Sequence, residues 1–133
     1  MKRLAFVIVL AHALVLLGHD SAHRELGVLL NDWQIVFAYL VIVAAPILAA
    51  FLVFTRYRRH GFALLALSMS GALAFGIFHH YVLASPDHVA HLPAGESQGL
   101  FRATAAVMGI LEAAGVALGV WGWRSHGARK IST

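Results

Sequence analysis

Nine histidines stand in a chain of 133 residues that contains no cysteine. Neutral imidazole is a common ligand for zinc, copper and iron, so the spacing of these histidines is the first chemistry to read. His12, His19 and His23 follow one another at intervals of seven and four residues. At about 100° per residue in a helix they fall within about 40° of one another and form one stripe. His79 and His80 are adjacent. On a helix His79 shares a face with Ala72, Phe75 and Gly76, while His80 points about 100° away.

Sites in helix bundles take their ligands from facing helices at one depth. His19 and His23, with His79 or His80 opposite, provide three nitrogens for Cu, Zn or Fe, which makes His19, His23, His79 and His80 the candidate ligands. Asp20, Asp87, His88 and His91 are candidates to complete or orient the site, because a ligating histidine usually donates its second N–H to a carboxylate or carbonyl. The same depth argument allows bis-histidine ligation of a b-type haem. With no cysteine, thiolate metal sites, iron–sulfur clusters and disulfides are excluded. Beside the ligand reading stands a plainer one, in which each histidine is an amphipathic interfacial anchor and the segment with Asp87, His88 and His91 is a solvated turn.

Glu112 lies near the middle of a long apolar run, where an ionised carboxylate costs at least a few kcal/mol, so it faces protein rather than lipid. Ala105, Met108, Gly115 and Gly119 share its face, and Gly115-x-x-x-Gly119 is a small-residue pattern that permits close helix approach. His12 is expected at a comparable depth, so a His12–Glu112 pair is the economical way to satisfy both groups. It reads as a proton relay, as a group that orients an upper metal ligand, or as a structural clasp.

The elements that position these residues follow from composition. The chain is 60% hydrophobic and 12% charged, with a mean hydropathy of +0.78. A soluble domain is about 45–50% apolar and about 25% charged. Four apolar segments predict an all-α bundle of four transmembrane helices in one domain, over about 4–23, 33–54, 62–83 and 103–123. The first apolar run, Leu4 to Leu17, covers only about 21 Å, so its helix must continue through Gly18, His19 and Asp20 toward His23 to cross about 30 Å of hydrocarbon. An alternative takes Lys2-Arg3 and Ala11-His12-Ala13 as the basic region and cleavage site of a signal peptide, which would leave three helices. Pro46 predicts a kink in the second helix, Ser85-Pro86-Asp87 a stop after the third, and Thr55 to Gly61 a basic turn.

Lys2, Arg3, Arg56, Arg58, Arg59, Arg124, Arg129 and Lys130 fall on one side of this arrangement, and Arg24 and Arg102 on the other. Under the positive-inside rule the N-terminus, middle loop and C-terminus are cytoplasmic, N-in/C-in. Trp33 and Tyr81 then fall at the outer interface, and Tyr57, Trp121 and Trp123 at the inner one. His19, His23, His79, His80, His88 and His91 gather at the extracytoplasmic boundary, with His60 and His126 on the cytoplasmic side. A bacterial inner membrane is the expected location.

The net charge of +4 does not point to nucleic acid, since the basic residues punctuate apolar runs and form no patch on a soluble surface. There is no phosphate loop and no His-Glu-x-x-His, and Ser21, Ser68, Ser70 and Ser85 lack the context of a nucleophile, so no catalytic residue is assigned. The leading expectation is a small polytopic membrane protein with a metal or haem site facing outward. The alternative is a non-catalytic accessory protein that joins a larger membrane complex, or copies of itself, through its small-residue faces. A third reading, a small proton or ion carrier, would need oligomerisation to build a pathway.

Overall fold

The computed structural model describes residues 1–127, and every regular element in them is helical, with no strand among the described residues. We label the four long helices α1 (Lys2–Glu25), α2 (Asp32–Leu52), α3 (Arg58–Val82) and α4 (Gln98–Gly127). All four are long and apolar enough to cross a membrane. Arg129 and Lys130, which enter the charge count above, lie outside the described residues.

Each helix differs from its expected bounds for a local reason. α1 runs to Glu25 and ends in a Schellman turn: Gly27 adopts a φ of +67°, its N–H reaches the Arg24 carbonyl at 3.1 Å, and the Val28 N–H reaches the His23 carbonyl at 3.0 Å. α2 opens on a reciprocal cap, in which the Asn31 side chain accepts from the Gln34 N–H at 3.1 Å and the Gln34 side chain accepts from the Asn31 N–H at 2.9 Å. It continues through Pro46 because Ala38–Ala44 widen into a π-helical segment just before it. A proline removes one backbone donor and crowds the preceding turn, and a wider turn relieves both. α3 begins at Arg58, so the last residues of the predicted basic turn belong to its first turn. Its last residues, Phe78–Val82, form a second π-helical segment that carries His79 and His80.

The packing falls into two layers. Toward the end that holds Lys2, Arg56 and Arg124, a core of Ala5, Ile8, Val9, Ala49, Ala50, Val53, Phe62, Leu65, Met69 and Leu118 is buried and wholly apolar. α4 meets α3 and α1 along much of its length, and α2 meets α3. α1 packs on α2 mainly through Ala45–Leu52 and stands apart from the π segment above it. Gly119 decides how closely α3 and α4 approach, since a Cβ there would come within 2.6 Å of the Ala66 backbone nitrogen. Gly115 likewise lies against Met69. At the opposite end Ala22, Leu26, Val28, Leu92 and Phe101 form a smaller cluster that ties the connection between α3 and α4 to α1.

Candidate metal centre

Three of the candidate histidines converge. One ring nitrogen from each of His19, His23 and His80 lies within 4.8 Å of the others, and all three residues are buried. Phe101 packs against all three rings, with centroid distances of 4.6, 4.8 and 5.2 Å to His19, His23 and His80.

Local structure fixes the orientation of each ring. The Schellman turn at Gly27 carries the Val28 carbonyl over His23, whose Nδ1–H donates to it at 2.9 Å. The His80 carbonyl accepts the Val89 N–H at 3.0 Å, and Arg102 Nε donates to the Val89 carbonyl at 2.9 Å. These two bonds fold the connection back on itself and set Asp87 beside His80. His80 Nδ1 then lies 3.2 Å from the Asp87 backbone oxygen and 3.1 Å from its Oδ1. On α4, Thr104 spends its hydroxyl hydrogen on the carbonyl of Leu100 (2.7 Å) or Phe101 (3.1 Å). Its oxygen is therefore an acceptor for His19 Nδ1–H at 2.9 Å.

These bonds select one tautomer throughout. In a neutral imidazole one nitrogen carries the hydrogen and the other a lone pair, and here all three Nδ1 atoms face acceptors. The Nε2 lone pairs are left facing inward. His19 Nε2 and His80 Nε2 are 3.2 Å apart, and His23 Nε2 is 3.5 Å from Asp87 Oδ1. Both carboxylate oxygens of Asp87 are buried, and Oδ1 has His80 Nδ1 beside it at 3.1 Å while Oδ2 has no hydrogen-bond partner. Burial pushes the Asp87 carboxyl up, but His80 at its side and the rings of His80, His23 and His19 outweigh that and hold it below the ordinary carboxylate range. In these tautomers the Nε2 lone pairs of His19, His23 and His80 and the Asp87 carboxylate are gathered together, an arrangement that a cation stabilises.

The other candidates lie elsewhere. His79 turns away from the cluster: Gln34 Nε2 donates to its Nδ1 at 3.3 Å, and Trp33, Phe75 and Phe78 enclose its ring. It joins α2 to α3. Asp20 pairs with Arg24 one turn away on the exposed face of α1. His88 and His91 pack on each other with ring centroids 4.7 Å apart, and His88 Nδ1 accepts the Ala90 N–H at 3.0 Å. The sequence does not mark Thr104 or the Val28 carbonyl as partners of this cluster. A threonine in the first turns of a helix carries no mark of its contact, and a backbone carbonyl carries none at all.

Beneath the cluster a cavity of about 80 Å³ is lined by His19, His23, His80 and Asp87 above and by Met108 and Glu112 below. His12 Nε2 lies 3.2 Å from Glu112 Oε1, with both side chains almost fully enclosed. No protein-family model, curated protein or solved structure matches the chain.

Proposed function

We propose that this chain is a multi-pass membrane protein that binds a transition-metal ion through Nε2 of His19, His23 and His80, with Asp87 as a fourth ligand or as the carboxylate that orients His80. The observation that carries the reading is the 3.2 Å spacing of Nε2 of His19 and Nε2 of His80, with the Nδ1 of each ring facing an oxygen on its other side. Two nitrogens bound at about 2.0–2.1 Å to one tetrahedral zinc stand about 3.3–3.4 Å apart, close to this spacing. Nitrogen-rich sites bind Cu²⁺ more tightly than Zn²⁺, so copper is the competing ion. Room for an exogenous ligand exists in the cavity below.

The same geometry argues against a b-type haem, whose macrocycle would have to lie between two axial nitrogens that already stand 3.2 Å apart, beside a cavity of about 80 Å³. The accessory reading is weakened because Gly115 and Gly119 face Met69 and Ala66 within the chain. A carrier reading is weakened by the wholly apolar core from Ala5 to Leu118 among the described residues. The charge asymmetry supports an N-in/C-in orientation in a bacterial inner membrane, with the metal site on the outer side.

The deciding experiment is elemental analysis of detergent-purified protein loaded with Zn²⁺ or Cu²⁺ and then dialysed. Wild type and His79→Ala should retain close to one ion per chain, and His19→Ala/His80→Ala close to none. Equal retention by the double variant and wild type would overturn the proposal.

A further inference from the structure

A second cavity, of about 160 Å³, lies between α1 and α2 and shares Leu16 and Ile42 with the cavity beneath the metal cluster. Val9, Ala13, Leu16, Ile42, Val43 and Pro46 wall it, and His12 is the polar residue among its lining. Leu17 and Ile47 also line it and are 66% and 52% exposed, so the space opens sideways through the belt of α1 and α2. It exists because α1 closes on α2 mainly at Ala45–Leu52 and stands off from the π-helical Ala38–Ala44. In a bilayer this is a crevice entered from the hydrocarbon.

A crevice meant only for an acyl chain has no use for a polar back wall, whereas this one carries a linked acid and imidazole. His12 Nε2 meets Glu112 Oε1 at 3.2 Å, and no other hydrogen bond to the His12 ring is present among the described residues. When a protonated Glu112 donates to Nε2, the hydrogen of the neutral ring sits on Nδ1, which can donate to a carbonyl oxygen. When Nε2–H donates to an ionised Glu112, Nδ1 is a lone pair that accepts from a hydroxyl. The pair is thus complementary to both members of a carbonyl/hydroxyl couple. Its cavity matches one six-membered ring in size, since an apolar protein cavity of about 150 Å³ holds benzene.

We infer that the α1–α2 crevice is a binding site for a membrane-dissolved quinone, its ring between α1 and α2, one oxygen on His12, and its tail left in the bilayer through the opening between Leu17 and Ile47. None of the three cluster histidines lines this crevice, and the inference does not depend on a bound metal.

The test is photolabelling with a short-chain azidoquinone of protein in phosphatidylcholine nanodiscs, with labelled peptides located by mass spectrometry. Label should fall in residues 9–17 and 42–47 and drop at least tenfold with excess decylubiquinone, while excess oleic acid leaves it in place. Ala13→Phe and Val43→Phe, which fill the crevice and leave the His12 and Glu112 side chains unaltered, should each abolish it; their metal content and melting temperature report that they are folded. If both fail to fold, the wild-type competition decides alone. Label outside these segments, label that decylubiquinone does not displace, or label that oleic acid displaces equally well would overturn the inference, the last by making the crevice an acyl-chain groove.

Discussion

Thr104 Oγ1 on α4 stands 2.9 Å from Nδ1 of His19 on α1, with its own hydrogen committed to the carbonyl of Leu100 or Phe101. This contact sets which nitrogen of His19 is left to bind an ion. Thr104→Val keeps the shape and removes the acceptor, so metal affinity should fall about 10–100-fold, the range found for loss of such orienting partners. Competition titration against a chelator of known affinity measures it. Thr104→Ser should retain wild-type affinity, and equal weakening in both variants would point to packing as the cause.

Gly27 holds His23 at one remove. A side chain at this position meets nothing within 4 Å, so the cost of Gly27→Ala comes from its φ of +67° alone. That conformation costs a non-glycine residue about 1–2 kcal/mol. The melting temperature of the metal-free variant in detergent should fall accordingly, and its metal affinity should fall as well, because the same turn brings the Val28 carbonyl to His23 Nδ1. A fall in melting temperature with unchanged affinity would show that His23 is oriented by something else.

The α3–α4 contact should rank two glycines by what each one faces. A Cβ on Gly119 collides with the Ala66 backbone at 2.6 Å, whereas one on Gly115 meets the Met69 side chain at 2.7 Å. Methionine can change rotamer and a helix backbone cannot, so Gly119→Ala should destabilise by about 1–3 kcal/mol and Gly115→Ala by less. Thermal melts followed by circular dichroism give the order. The reverse order would place the closest approach of the two helices elsewhere.

His12 and Glu112 are enclosed together, so removing one strands the other in an apolar layer. His12→Phe and Glu112→Leu should each destabilise more than half as much as the double variant, with a coupling of about 0.5–3 kcal/mol in a double-mutant cycle. Reversible unfolding in mixed micelles measures the four proteins. Additive effects would mean that the two groups do not support each other.

The four apolar segments, and with them an all-helical chain, are set by run length alone, because spans of about twenty residues without charge clusters have few other solutions. So is the common stripe of His12, His19 and His23, since directions along one helix follow from 100° per residue. Tertiary structure decides what that count cannot reach. It gives each residue's direction within its own helix, but not the rotation of one helix against another, and it assumes a regular turn. The π-helical widening at Phe78–Val82 breaks that regularity, and in this turn His80 joins the cluster while His79 joins Gln34. Asp87 reaches His80 and Asp20 does not, because the Val89 N–H bonded to the His80 carbonyl folds the connection inward, whereas Asp20 lies on the open side of α1 with Arg24. Gly115 and Gly119 form a packing face by sequence, but only the placement of Met69 and Ala66 settles that α3 fills it.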